Sequence, residues 1–320
     1  MSRIVVVGAS QGGVEALRRL VRGLPADFPA PVLVVLHVGA AQSLLPSLLH
    51  GHGGLSASHA FDGEALKPGH ILVAPPDRHM RVLDGHVELT RGPRENWARP
   101  AVDPLFRSAA ETCGADEVGV VLTGQLNDGA SGLWEIKRRG GIAVVQDPAE
   151  AEAPSMPQSA LDNVQVDFCL PLADIPRTLD RLVREEPLSR RTPDQRGALA
   201  MSHQDPPFDR PAAQICPDCG GAMREETQGR LTRYHCHIGH VMTAEVLAAS
   251  QVETLRRDIS TVLRTLNERA ALCREMADKH AARGEGEVAR MWREAAEEAE
   301  RRESALRDLD EAAWSHPEQA

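Results

Sequence analysis

Aromatic residues are scarce in this chain, at 3% of 320 residues. Long apolar runs are missing too: none approaches the roughly 18 residues that a membrane span needs. The best stretch, Pro31–Val38, suits a buried strand, so no membrane insertion is expected. The N-terminus enters an apolar run at Ile4 without the basic region, apolar core and cleavage site of a secretory signal. Basic residues are in deficit, with 36 Lys+Arg against 46 Asp+Glu and a formal charge of −10. That excludes a general nucleic-acid binder, since neutralising phosphates needs a basic face. The six cysteines are too few for a disulfide framework in so long a chain. Three of them crowd into Cys216–Cys236, which points to a metal in a reducing cytoplasm. What the chain does have is core: 42% of it is hydrophobic, which excludes wholesale disorder.

Residues 1–185 alternate short apolar runs with amphipathic stretches. Ile4–Val7, Val32–Leu36, Val118–Leu122 and Ile142–Val145 are rich in Val and Ile and read as buried parallel strands. Between them Val14–Gly23, Ser43–His50, Val102–Cys113, Gly129–Arg139 and Ile175–Arg184 carry helical patterns. The alternation predicts right-handed βαβ units in a doubly wound, mostly parallel α/β sheet. Asp84-Gly85 between Met80–Leu83 and His86–Thr90 predicts a type I′ hairpin at a sheet edge. Residues 186–213 lose periodicity and read as a linker. Residues 214–242 hold a Cys/His cluster. In residues 243–313 two apolar stripes at helical spacing flank Arg283-Gly284-Glu285-Gly286, which predicts a helical hairpin.

Three strand ends carry chemistry. Gly8-Ala9-Ser10-Gln11-Gly12-Gly13 follows a strand and opens a helix. As a dinucleotide loop it would need a glycine where Ser10 stands, and an acidic residue where His37 stands, so that reading is disfavoured. As a nucleophile turn it fits Gly-x-Ser-x-Gly, with helix amides behind Ser10 for an oxyanion. As a plain glycine-rich turn it would use Ser10 as an N-cap. His37 ends the second strand, where it is either a partner of Ser10 or a hydrogen-bonded structural residue. Asp128, in Leu122-Thr123-Gly124-Gln125-Leu126-Asn127-Asp128-Gly129, is either the orienting carboxylate of a triad or a helix N-cap. The three together, each at a strand's carboxyl end, favour the triad.

These residues occur in one order with Pro68-Gly69-His70-Ile71-Leu72-Val73-Ala74-Pro75-Pro76-Asp77-Arg78-His79-Met80 and Arg99-Pro100-Ala101-Val102-Asp103-Pro104-Leu105-Phe106. In this the chain resembles the CheB-type chemotaxis-receptor methylesterases, over about residues 3–185. The resemblance implies a flavodoxin-like doubly wound fold and a protein-glutamate methylesterase that releases methanol from chemoreceptors and can deamidate glutamines. It implies Ser10 as nucleophile, His37 as general base and Asp128 as orienting carboxylate, with His79, Arg99 and Asp103 lining the substrate groove. No organic cofactor is implied. The implied partners are the cytoplasmic region of methyl-accepting chemoreceptors and a separate response regulator or other signalling protein, and the implied compartment is the cytoplasm. Strand one begins at residue 3, so control by a receiver domain in the same chain is not expected. Gln125 and Leu126 replace the family's Met and Gly, and Val38-Gly39-Ala40 replaces the residues that usually follow the histidine. The altered loop motivates an alternative: a CheB-like binding or scaffold protein with impaired catalysis.

Cys216-Pro217-Asp218-Cys219 and Tyr234-His235-Cys236-His237-Ile238-Gly239-His240 have the ligand types and spacing of a zinc ribbon. Cys216, Cys219, Cys236 and His240 are the expected ligands, with His235 or His237 as alternatives for the fourth. A redox Cys-x-x-Cys is disfavoured, since no thioredoxin-like βαβ unit surrounds it. Four protein ligands leave no open position, so this zinc is expected to be structural and dispensable for ester hydrolysis.

Overall fold

A computed structural model describes residues 3–37, 43–50, 54–185 and 212–311. They form two compact units, Met1–Val246 and Leu247–Ala320. The first unit is built on a seven-stranded sheet of β1 (Ile4–Ala9), β2 (Val32–Leu36), β3 (Ser56–His59), β4 (His70–Val73), β7 (Glu117–Val121), β8 (Ile142–Gln146) and β9 (Phe168–Leu170). Its order is β3-β4-β2-β1-β7-β8-β9, and every neighbouring pair is parallel. Val5, Val7 and Ala9 of β1 point to one face, with α1 (Gly13–Gly23), α2 (Leu45–Leu49) and α6 (Ile175–Arg184). Ile4 and Val6 point to the other, with α3 (Val102–Cys113), α4 (Ala130–Arg138) and α5 (Ser155–Asn163). Both faces are covered, so the central strands are apolar on both sides, as buried parallel strands must be.

The winding reverses between β1 and β7, and such a reversal opens a crevice at the strands' carboxyl ends. Ser10 and His37 directly follow β1 and β2, and Asp128 lies on the loop after β7.

The predicted hairpin is present as β5 (His79–Leu83) and β6 (His86–Thr90), with Asp84 and Gly85 both at positive φ as a type I′ turn requires. It is not an edge of the main sheet. It forms its own two-stranded sheet, because Met80, Val82 and Val87 pack with α3 in the second core cluster. All but the last two residues of the expected 186–213 linker lie outside the described residues, as do Val38–Ala40. A three-stranded antiparallel ribbon, β10 (Met223–Gln228), β11 (Leu231–Cys236) and β12 (Val241–Thr243), completes the first unit. Gln228 ties it to α4: its amide donates to Glu135 Oε1 at 2.9 Å and its oxygen accepts from Ser131 Oγ at 2.6 Å.

The second unit holds the long helix α7 (Ala244–Ala282) from Leu247 onward and α8 (Gly286–Glu311), reversing at Gly284 with φ 77°. Ala270, Cys273 and Ala277 are buried with Ala289, Ala296 and Ala299. Arg274 Nη1 reaches Glu300 Oε1 at 2.6 Å between the helices. Among the described residues no helix is long and apolar enough to cross a membrane.

Helices α3 and α4 approach so closely that a Cβ on Gly132 would lie 2.4 Å from Phe106 Cβ and 3.2 Å from the Asp103 backbone. Alanine normally favours a helix interior over glycine by about 1 kcal/mol. Here Gly132→Ala should instead destabilise by about 1–3 kcal/mol, as overpacking does, which a thermal or urea melt would read directly.

Candidate functional site

Ser10 sits where β1 breaks into α1. Gly12 adopts φ 75° and is the N-cap of that helix, with no side-chain cap bond, so Ser10 is not spent as a cap. Its backbone is pinned instead: Ser10 N donates to Thr123 O at 3.0 Å, and Thr123 Oγ1 donates to Gln11 O at 3.0 Å. Gly124 packs under it, since a Cβ there would lie 2.8 Å from Ser10 Cβ and 2.1 Å from Met156 Sδ. The serine hydroxyl faces His37 Nδ1 at 3.1 Å, and His37 Nε2 lies 2.7 Å from Asp128 Oδ2. The neighbouring register of β1 and β2 makes the first contact possible, with Ala9 opposite Leu36.

Asp128 does not cap the helix that follows it; Gly129, at φ 96°, holds that position. Its carboxylate crosses to the neighbouring helix. Val102 N donates to Oδ2 at 2.6 Å and Asp103 N to Oδ1 at 3.2 Å, and these are the first two residues of α3. Asp103 returns the exchange, accepting from Gly129 N at 3.1 Å and Gly132 N at 2.7 Å at the start of α4. The Asn96 amide bridges the two carboxylates, donating to Asp128 Oδ1 and Asp103 Oδ2 at 2.9 Å each. Burial pushes the Asp128 carboxyl up, but the His37 ring, the Val102 amide and Asn96 outweigh it and hold the group well below the usual range. Burial and the neighbouring Asp128 charge push Asp103 the other way. An ionised Asp128 only accepts, so the proton on the His37 ring belongs on Nε2 and the Nδ1 lone pair faces Ser10. That is the tautomer a general base needs.

Ser10 and His37 open onto a depression of about 330 Å³ lined also by Gly12, Val14, Leu36 and Glu152. None of the three residues expected along a groove lines this depression. Asp103 is buried behind Asp128. His79 is buried under the 93–101 loop, with Nε2 on Pro93 O at 2.9 Å and Nδ1 accepting from Ala101 N at 3.3 Å. Arg99 is partly exposed and pairs with Asp77, with Nε 2.9 Å from Oδ1. Asn96 was not singled out by the sequence. Its φ of 48°, followed by Trp97 at 64°, is a left-handed turn that Asn tolerates, but nothing in the local pattern marks it as a partner of Asp128.

The four expected metal ligands converge. Cys216, Cys219, Cys236 and His240 present one ligand atom each, all within 4.8 Å of one another. Cys219 Sγ to Cys236 Sγ is 3.7 Å, and His240 Nδ1 lies 3.6 Å from Cys216 Sγ and 3.5 Å from Cys236 Sγ. A tetrahedral zinc with ordinary Zn–S and Zn–N lengths has edges of about 3.8 Å between sulfurs and about 3.6 Å between sulfur and nitrogen. Tight turns at Gly220 and Gly239, both at positive φ, shape the two knuckles. His235 turns away, with Nε2 2.6 Å from Glu226.

Together the fold and site define a doubly wound α/β protein with a strand-end Ser-His-Asp relay. Residues 5–179, more than half of the chain, match the family described as CheB methylesterase, and the chain belongs to that family. A protein-glutamate methylesterase/protein-glutamine glutaminase from Anaeromyxobacter dehalogenans (strain 2CP-C) is 42% identical over 186 residues, covering 57% of this chain and 51% of its own. A putative protein of the same description from Leptospira interrogans is 38% identical over 184 residues, 56% of this chain and 93% of its own. The chain therefore spans about half the length of the first relative and nearly all of the second. The Thermotoga maritima CheB methylesterase catalytic domain superposes with a TM-score of 0.55 at 34% identity, covering 57% of this chain and 99% of that one.

Leu126, beside the relay loop, adopts φ 61°. The left-handed conformation costs a non-glycine residue about 1–2 kcal/mol, partly offset by the freedom a glycine would lose on folding. Leu126→Gly should therefore raise stability by about 0.5–1 kcal/mol in a urea melt, and unchanged or lower stability would show that Leu126 packing outweighs the strain.

Proposed function

We propose that the protein is a serine hydrolase that demethylates glutamate methyl esters on the cytoplasmic region of chemoreceptors. The unbroken relay from Ser10 Oγ through His37 to a buried, ionised Asp128 carries this reading. Ser10 Oγ attacks the ester carbonyl while His37 Nδ1 takes its proton. The imidazolium, stabilised by Asp128, returns that proton to the departing methoxide, and methanol leaves a glutamyl-Ser10 ester. Water, deprotonated by His37, then hydrolyses the acyl-enzyme and frees Ser10. Backbone N–H groups near Ser10 and on the Gln125 loop would hold the oxyanion. A glutamine side chain fits the same scheme with ammonia as the leaving group, which supports a second, deamidating activity. A separate response regulator or another signalling protein is the proposed controller, and the cytoplasm the proposed compartment. Nothing in the relay favours an impaired scaffold, because the Gln125-Leu126 exchange leaves all three side chains in contact. The tetrahedral spacing of Cys216, Cys219, Cys236 and His240 supports one structural zinc, and the chemistry above needs no organic cofactor.

Methanol release from methylated receptor membranes tests the activity. Ser10→Ala and His37→Ala should each cost roughly 10⁴-fold or more, and Asp128→Ala one to two orders of magnitude less. Asp128→Ala should also lose about 1–3 kcal/mol of stability, because the Val102 and Asp103 amides are left without their acceptor. Near-wild-type rates for Ser10→Ala would rule out the serine mechanism. Elemental analysis of protein purified under reducing conditions should find one zinc per chain, absent from Cys216→Ser; a metal-free wild-type protein would reject the site.

A further inference from the structure

The ribbon does more in the structure than carry Cys236 and His240. Val241, the residue after His240, opens β12, and β12 lies along residues 94–96. Asn96 N donates to Val241 O at 2.9 Å, and Val241 N donates to Arg94 O at 3.4 Å. Thr243 N then donates to Asn96 Oδ1 at 3.3 Å. This last bond decides how the Asn96 amide is turned. With its oxygen taken by a backbone N–H, the NH₂ is the end that points at Asp128 and Asp103. The same short segment grips the residue next to Asp128 from a second side. Thr243 Oγ1 donates to Asn127 Oδ1 at 2.8 Å, and Asn127 Nδ2 donates to Glu245 Oε2 at 2.7 Å.

The path from the ligands to the relay is short. Cys236 ends β11 and His240 precedes β12, with Cys236 N donating to His240 O at 3.0 Å across the knuckle between them. A metal that joins Cys236 and His240 to Cys216 and Cys219 would set the position of β12. A three-residue strand has little cohesion of its own, and a module of this size buries too little apolar surface to hold shape without a staple. Asn96, meanwhile, sits in two consecutive left-handed residues, a backbone that persists only where its surroundings impose it. The β12 hydrogen bonds are what surrounds it on that side.

We propose that the metal-bound ribbon is a positioning element of the triad: ligation at Cys236 and His240 holds β12, and β12 holds the Asn96 amide on the Asp128 carboxylate. Asn96 acts through Asp128 and touches no substrate. The inference rests on the serine-hydrolase reading, and it reverses the sequence-based expectation that zinc is dispensable for turnover. The metal is not a Lewis acid here; its effect reaches the ester only through the geometry of Asp128 and His37.

The test uses the full chain loaded with zinc and a fluorophosphonate, which reacts with an activated serine and needs no receptor. Ser10 labelling rates are compared for wild type and Asn96→Gly, each with zinc and after removal of zinc by dipicolinate. Glycine suits φ 48° at position 96, so this variant deletes the amide without straining the backbone. Zinc removal and Asn96→Gly should each slow labelling roughly 10- to 100-fold, the size expected when a supporting hydrogen bond to a working group is lost. The two losses should not multiply: zinc removal should cost Asn96→Gly little more, since the route through Asn96 is already cut. Readdition of zinc should restore the wild type but not the variant. In methanol release the loss should fall on kcat, with KM for receptor membranes unchanged. Wild-type labelling that is indifferent to zinc would overturn the proposal, as would losses that multiply. Labelling absent from zinc-loaded wild type would overturn the Ser10 mechanism itself, and this inference with it.

Discussion

A buried negative charge on Asp128 is the constraint around which the first unit of the molecule is arranged. Removing a carboxylate from water costs several kcal/mol unless its oxygens are satisfied. Here they are satisfied by the first two amides of α3, by Asn96 and by His37. A helix N-terminus offers both free N–H groups and the positive end of the helix dipole, so α3 stabilises the anion twice over. Asp103, the second residue of α3, repeats the arrangement by accepting from Gly129 and Gly132 at the start of α4. Gly132, with no Cβ, lets the two helices come close enough for this exchange, and the Asp128 carboxylate is spent on α3 rather than on its own helix.

The sheet's centre was legible in the sequence because β1, β2, β7 and β8 are buried on both faces and therefore apolar except for Glu117 and Gln146 at the ends of β7 and β8. The helices α3 and α6 were legible from their apolar period, and their predicted bounds match the structure. Strands β3 and β9 were not, because edge positions leave Ser56 exposed and Ser58 and His59 half-buried, and Phe168-Cys169-Leu170 is too short to show a pattern. Helix α5 escaped because Pro157 interrupts its sequence. The three relay residues could be read since each lies at a strand end in a recognisable turn. Asn96, Thr243 and Glu245 could not, because their role depends on a packing between segments some 150 residues apart, and residue type alone carries no trace of that.

The family match ends at residue 179, and the ribbon lies beyond it. Its attachment is nonetheless intimate. Gln228 binds Ser131 and Glu135 on α4, while β12 and Glu245 bind the two asparagines that flank the relay. Arg233 is buried beside them, donating to Gln228 Oε1 at 3.1 Å, and Arg107 holds Glu95 with both carboxylate oxygens at 2.6 and 2.7 Å. The 94–96 segment is thus held between two anchored ends. Gln125 and Leu126 fit the same frame, since Thr123, Gly124 and Asp128 on either side are fixed by bonds that do not involve their side chains.

The central claim is that an ionised Asp128 sets the proton on His37. The most direct measurement is a two-bond ¹H–¹⁵N correlation spectrum of protein labelled at histidine, at a pH where the ring is neutral, assigned against His37→Gln. The structure predicts a protonated Nε2 and an unprotonated Nδ1 facing Ser10. A neutral ring carrying its proton on Nδ1, or one exchanging freely between tautomers, would contradict it.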